Sequence, residues 1–364
     1  MPLTVPVAID GRRLQEYPLT GVGRWLANLL PYLATEADIV LLTDAGRRPA
    51  AFSIPGTGLL AEAPLWLPAR APELVWIQLS VPRWLRRFHG VFHGTFNQLP
   101  VAWRGPAVVT FHDLATLDHP EDFAGDGLKR MVWNAQFRQA ARQAAAIQTD
   151  SEYIRQAVLA TYPVDPARVV VAAPSVDPVF NPQRKARGRA RAASFGVTGN
   201  YVVAVGGAPR RGLSVAVDAW AQARAHGAVE ELVVVGNETP APRPGLFAVG
   251  RLADEPWADL LAGATALCYP TRYEGFGMPA LEAAASGVPV VCARVGPLPE
   301  VMGDAPEWCE ATTVASIAAG LERLLADPAR QARRRQAGLA RAAAAPSWAH
   351  AARVLIDTYA RVAR

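Results

Sequence analysis

The 364 residues are 51% hydrophobic and only 19% charged, so sizeable cores can be buried and wholesale disorder is excluded. The length suits about two domains of ordinary size. A net charge of +5 favours anionic partners, but the basic residues are dispersed, with no recognition motif or aromatic platform, which argues against nucleic acid.

Short β-branched or apolar runs alternate with longer amphipathic segments, the pattern of parallel α/β domains. In the first half, strands are predicted at 4–10, 38–44, 90–95, 107–113, 145–150 and 168–174. The run "GRWLANLLPYLA" (23–34) sets Trp25, Leu26, Leu29, Leu30 and Leu33 on one face of a helix. Residues 181–200, "NPQRKARGRARAASFGVTGN", are basic and poor in large apolar side chains, and read as a linker or a solvated helix. The alternation restarts with strands at 201–207, 231–237, 246–250, 266–270 and 289–293. It ends in a helix after Pro346 with Trp348, Ala352, Leu355, Tyr359 and Val362 in one stripe. The expected organisation is a domain over 1–180, a linker over 181–200, a second domain over 201–345 and a terminal helix over 346–364.

The stretch "YPTRYEGFGMPALEAAASGVPVV" carries the chemistry. The strand "ALCYP" stops at Pro270, Pro279 suits the first turn of a helix, and Gly287 ends that helix. Ligands of open α/β sheets settle beyond the carboxyl ends of strands. Glycines there admit phosphate oxygens to backbone N–H groups, and the helix N-terminus adds its positive dipole. Glu274 and Glu282 bracket this turn, about 10 Å apart at helix-like rise. That spacing suits hydroxyl-bearing groups on either side of a diphosphate, as in a nucleotide sugar.

The same stretch, with Glu274, seven residues and then Glu282, resembles the signature of retaining glycosyltransferases of family 4. The resemblance continues in "AIDGRRL…TGVGRWLANLL", "VFHGTFNQLP", "VVTFHDLATLDHPEDF", "GRLADEPWADLLAGATALCYPT", "GPLPEVMGDAP" and "SWAHAARVLIDTYARV". It implies the GT-B fold, an α/β architecture of two Rossmann-like domains facing a central cleft. The first would serve the acceptor and the second the nucleotide-sugar donor, and the terminal helix would return to the first. Carried over, Glu282 binds the ribose hydroxyls and Glu274 the transferred sugar. Gly275, Phe276, Gly277, Met278 and Pro279 line the sugar and diphosphate. His112 faces the sugar from the first domain, while Gly21 and Gly23 admit diphosphate or acceptor to the first glycine loop. "VGGAPRRG" (205–212) takes the place of the basic pyrophosphate site, with Arg210 and Arg211 as the clamp. Many relatives carry an arginine directly after the "VG" and a lysine farther on; here Gly207 and Arg211 stand there, with a shortened loop.

The chain contains no Asp-x-Asp, so transfer without a metal and without a separate cofactor is expected, from a GDP- or UDP-sugar. The resemblance implies a hexosyltransferase acting with retention, mannose or rhamnose being the sugar hinted at. Its acceptor would be a glycan or lipid-linked molecule in polysaccharide or cell-surface glycan biosynthesis. A non-catalytic sugar-nucleotide-binding subunit and a nucleotide-sugar hydrolase or epimerase are the alternatives.

No apolar run reaches the roughly 18 residues of a membrane span, and the N-terminus lacks signal-peptide order. The three cysteines have no metal-ligand spacing and read as small core hydrophobes, which points to the cytoplasm. The segment "SVPRWLRRFHG" (80–90) has two readings. It is a basic amphipathic helix lying on the inner face of the membrane, or an ordinary first-domain helix with its arginines in water.

Overall fold

The computed structural model describes residues 5–44, 60–65, 73–123, 127–227 and 231–364; Thr4, first residue of the predicted opening strand, lies outside them. The chain divides into two compact units, one formed by Met1–Ser175 with Pro346–Arg364 and the other by Val176–Ala345.

The first unit is built on β1 (Val7–Asp10), β2 (Ile39–Asp44), β3 (Leu60–Leu65), β4 (Val91–Gly94), β5 (Ala107–Phe111), β6 (Ala146–Thr149) and β7 (Val169–Val171). They form a parallel sheet in the order β3-β2-β1-β4-β5-β6-β7. Helices cover both faces, as all-parallel sheets require. One core gathers Trp76, Phe92, Phe111 and Phe137, the other Leu26, Leu29, Leu30, Leu355 and Tyr359. The helix Gly21–Leu33 starts at Thr20, whose hydroxyl accepts the Gly23 N–H at 3.4 Å. The terminal helix Trp348–Val362 starts at Ser347 in the same way and packs on Gly21–Leu33. Its Tyr359 hydroxyl meets His93 Nδ1 at 2.6 Å, and His93 Nε2 meets Thr110 Oγ1 at 2.8 Å. Burial lowers the His93 pKa to about 3, so this histidine is a neutral core residue that ties the last helix to the sheet.

The second unit contains β8 (Tyr201–Val205), β9 (Glu231–Val235), β10 (Leu246–Ala248), β11 (Ala266–Cys268), β12 (Val290–Ala293) and β13 (Glu307–Cys309). The order is β10-β9-β8-β11-β12-β13, again parallel. Strand order reverses between β8 and β11, so the loops that follow them flank a topological switch point. Cys268, Cys292 and Cys309 are free and buried, packed as small apolar side chains.

Of the two readings of residues 181–200, the helix holds and the separate linker does not. These residues form a turn at Pro182–Arg184 and the helix Lys185–Ala193, both inside the second unit and packed on the helix Asp254–Gly263. The two helices touch through glycine: a Cβ on Gly188 would stand 2.1 Å from the Asp259 carbonyl oxygen. Beside that contact Arg184 Nη1 and Asp259 Oδ1 form a buried ion pair at 2.6 Å. Close backbone approach and a charge pair, rather than large apolar side chains, hold the segment, so its composition resembles that of a linker. Two strands absent from the expected set lie at sheet edges. β3 contains Pro64, which an edge tolerates, and β13 has only three residues, one of them Glu307.

In the segment 80–90, Leu85 is buried and Trp84 and Phe88 pack against the first core, while Arg83, Arg86 and Arg87 are exposed. The apolar face is therefore occupied by the protein itself, as the ordinary-helix reading has it. Among the described residues no helix is long and apolar enough to cross a membrane.

Candidate active site

In the second unit the switch-point loops clasp one another. After β8 the chain makes the turn Pro209–Arg211 and passes Gly212 at φ +67°, where a Cβ would lie 2.3 Å from the Pro270 carbonyl oxygen. The Arg210 carbonyl accepts the Arg272 N–H at 2.7 Å and the Thr271 hydroxyl at 3.3 Å. Glycine at 212 is thus what lets the two loops close. The clasp brings Arg211 Nε to 3.9 Å from Glu274 Oε1, while Arg211 Nη1 donates to the Gly206 carbonyl at 3.1 Å.

Glu274 Oε1 also accepts the Tyr269 hydroxyl and, at 3.4 Å, the Thr271 hydroxyl. All these contacts fall on one carboxylate oxygen. Burial draws the Arg211 pKa down, but Glu274 above all, followed by Tyr269, Glu282 and Glu238, outweighs it and holds the guanidinium above its ordinary value. Burial, reinforced by the Glu274 charge, keeps the Tyr269 phenol protonated well above its usual range, so it remains a donor.

Gly277, at φ +96°, caps the helix Met278–Ala285, and Pro279 sits in its first turn. Glycine is favoured at 277 by conformation, and a Cβ would also lie 2.5 Å from Leu298 Cδ2, forcing that side chain to shift. Phe276 is buried, whereas Gly275, Met278 and Pro279 are part-exposed. Glu282 has no accessible surface (0%), and its Oε2 accepts the Trp257 indole N–H at 2.7 Å. Arg210, Arg211, Glu274, Gly275, Phe276, Gly277, Met278, Pro279 and Glu282 thus share two clasped loops and one helix.

Gly21, Gly23 and His112 belong to the first unit. His112 follows β5, with Nδ1 2.6 Å from Asp150 Oδ2 and Nε2 3.0 Å from the Thr95 carbonyl oxygen. A carboxylate and a carbonyl both accept, so this setting suits a ring protonated on both nitrogens. Burial opposes that charge, yet Asp150 first, then the Thr95 carbonyl and Asp113, raise the His112 pKa above its ordinary value. With an acceptor beside each ring nitrogen, His112 is held in a geometry that favours the imidazolium. Asn97, at φ +50°, braces the loop by accepting the His112 N–H at 3.2 Å and donating to the Asp113 carbonyl at 2.9 Å. Trp25, from the helix that carries Gly21 and Gly23, sets its ring edge-on to His112 with centroids 4.9 Å apart. Those glycines differ. A Cβ on Gly23 would press on the Arg13 carbonyl oxygen at 2.7 Å, while one on Gly21 meets nothing within 4 Å among the described residues. Gly23 therefore serves the packing of its own chain, and Gly21 is the open position.

Sequence reasoning missed Trp257, Tyr269 and Asp150. Trp257 and Tyr269 lie within "GRLADEPWADLLAGATALCYPT", and each carries a polar handle that must find a partner when buried. Asp150 ends a predicted strand, where a carboxylate at the carboxyl edge of a parallel sheet was the available signal.

Two family descriptions match the chain: "Glycosyltransferase Family 4" over residues 19–180 and "Glycosyl transferases group 1" over residues 199–327. It is 34% identical over 238 residues to an MMP alpha-(1->4)-mannosyltransferase of Mycolicibacterium hassiacum, covering 61% of this chain and 55%, little more than half, of that relative. It is 27% identical over 380 residues to O-antigen chain mannosyltransferase B of Escherichia coli, covering 94% of this chain and 97% of the relative. Among solved structures it is similar to Anabaena HepE in complex with UDP and glucose, with TM-score 0.73, 14% identity and coverage of 97% and 99%. WaaG, a glycosyltransferase involved in lipopolysaccharide biosynthesis, gives TM-score 0.73 at 16% identity, covering 96% and 98%. With its two parallel α/β units, the clasped loops around Glu274 and these matches along both halves, the chain belongs to the family 4 glycosyltransferases of GT-B fold.

Proposed function

We propose that the chain transfers a hexose, mannose or a closely related sugar, from a GDP- or UDP-sugar to a glycan or lipid-linked acceptor, with retention and without a metal. The observation that carries this reading is the clasp at the switch point, which presents Arg211 and Glu274 together beside the glycine-capped helix. In the proposed complex, Arg210 and Arg211 take the diphosphate with the backbone around Gly275–Gly277. Glu274, engaged through Oε1, offers Oε2 to a sugar hydroxyl. Glu282 takes the ribose, its position fixed by Trp257. Both mannosyltransferase relatives favour mannose as the sugar.

The acceptor hydroxyl attacks the anomeric carbon on the face from which the diphosphate departs. The new C–O bond forms as the bond to the phosphate oxygen breaks, and that oxygen takes the acceptor proton. Such a step needs no base from the protein, in keeping with His112 being doubly protonated and held. Cations at the leaving diphosphate offset the charge that develops there. Any contact with an anionic membrane falls to Arg83, Arg86 and Arg87 by charge, since Trp84, Leu85 and Phe88 face the core.

Product analysis with labelled GDP-mannose and UDP-glucose, with and without candidate acceptors, tests the reading. An α-linked product formed only with acceptor supports it. Free sugar formed at the same rate without acceptor means hydrolysis, and tight binding without turnover, unchanged by Glu274→Ala, means a binding subunit.

A further inference from the structure

The opposite edge of the second sheet holds a cavity of about 430 Å³. Its floor is where Asn200, Thr265 and Pro289 lead into β8, β11 and β12, so it lies at the amino ends of the strands whose carboxyl ends carry the donor loops. Its walls bring together Lys185 and Arg189 from one helix and Arg335 from another, and among the described residues no carboxylate lines it.

These cations differ from their neighbours on the same helices. Arg187 and Arg191 turn to Asp259 at 3.6 and 3.9 Å, whereas Lys185 and Arg189, four residues apart, share the other face. On the helix Pro328–Ala343, Arg330 and Arg334 meet Glu307 at 3.1 and 3.2 Å, and Arg333 meets Asp327 at 3.5 Å. Among the described residues neither Lys185 nor Arg335 has a carboxylate within ion-pair distance. Arg189 is fixed by the Gly199 carbonyl and Asn200 Oδ1, each at 3.0 Å, and lies over the Tyr201 ring at 5.5 Å from its centroid, so its partners are neutral and, among the described residues, it has no carboxylate within ion-pair distance. Gly287, at φ +69° beyond the helix Met278–Ala285, leaves room for Arg335: a Cβ there would stand 3.3 Å from its Nε.

Like charges gathered around a concavity repel one another, and a bound anion converts that repulsion into attraction. The volume falls in the roughly 300–1,000 Å³ range of small-molecule sites. We propose that this cavity is a second binding site, distinct from the donor loops, for a soluble small molecule bearing phosphate. Lys185, Arg189 and Arg335 supply the charge, and Asn200 and Gln331 supply neutral polar contacts.

The test is calorimetric titration of the full chain with inorganic pyrophosphate, against potassium chloride at equal ionic strength. Saturable binding is expected to survive Arg211→Ala, which removes a cation of the donor loops, so the outcome does not depend on the transferase reading. Measured in the Arg211→Ala background, it is expected to weaken at least about tenfold when Lys185→Ala/Arg335→Ala is added, the loss of two charge-assisted contacts. The charge-preserving pair Lys185→Arg/Arg335→Lys retains binding, as does Arg187→Ala, whose side chain faces Asp259. Circular dichroism of each variant establishes that it is folded. Equal affinity in Arg211→Ala with and without the double alanine change, loss in Arg211→Ala alone, or no binding beyond the salt control overturns the proposal. So does sedimentation with phosphatidylglycerol vesicles that needs Lys185 and Arg335 while pyrophosphate does not bind.

Discussion

The carboxyl edges of the two sheets occupy equivalent places in similar units, yet their polar groups are held in opposite ways. In the first unit His112 is locked, with one ring nitrogen 2.6 Å from a carboxylate, the other 3.0 Å from a carbonyl, and an aromatic ring against it. In the second unit Arg211 and Glu274 stand at 3.9 Å, a loose ion pair beside glycines. A locked group has had its geometry and protonation settled by the fold. A loosely paired cation and carboxylate can each give up part of the other for a phosphate or a hydroxyl. On the function proposed above, exchange with substrate falls to the second edge and a fixed charge to the first.

Substitutions at the loose pair test that assignment most severely. Glu274→Ala is expected to lower kcat by at least about 100-fold, in the range for losing one preorganised polar contact in a transition state, with nucleoside diphosphate affinity little changed. Steady-state kinetics together with GDP or UDP titration separates the two effects. Arg211→Ala should act on binding as well, weakening the nucleoside diphosphate about 10- to 100-fold, as expected for a charge-assisted hydrogen bond. Arg211→Lys should restore only part of this, because the point charge lacks the planar fork. If Arg211→Ala binds normally, the clasp is structural and the contrast between the edges fails.

The locked side is sharpened by pH. The native His112 pKa is raised, so the stability that its charge contributes is fully present below about 6.5, the ordinary value, and is lost as pH climbs through the raised native value. Asp150→Asn should move the alkaline fall of both thermal stability and kcat/KM toward that ordinary value. Identical pH profiles in the two proteins would mean that Asp150 does not hold the proton. Trp257→Phe removes the indole N–H from a fully buried carboxylate and should cost about 1–3 kcal/mol in denaturant unfolding. The smallest expected effect is none: EDTA should leave turnover intact, and its abolition would overturn transfer without a metal.

The sequence made the second edge far more legible than the first. Gly277 and Pro279 mark a helix start by backbone chemistry alone, and Glu274 and Glu282 flank it in one continuous stretch. The clasp itself was not legible, because it depends on carbonyl contacts between residues 210 and 272, some sixty positions apart, and on the left-handed Gly212. The His112 network draws on three separate segments, at Trp25, at Thr95 and Asn97, and at Asp150, none of which has a local pattern pointing to the others. The place of residues 181–200 inside the second unit was hidden for a related reason. Packing through Gly188 and the Arg184–Asp259 pair leaves no apolar periodicity to detect.

The most direct measurement is the structure of the chain with GDP or UDP bound. The diphosphate is expected within hydrogen-bond distance of Arg211 and the Gly275–Gly277 backbone, with the ribose directed toward Glu282. A diphosphate bound away from residues 205–212 and 271–282 would contradict the account.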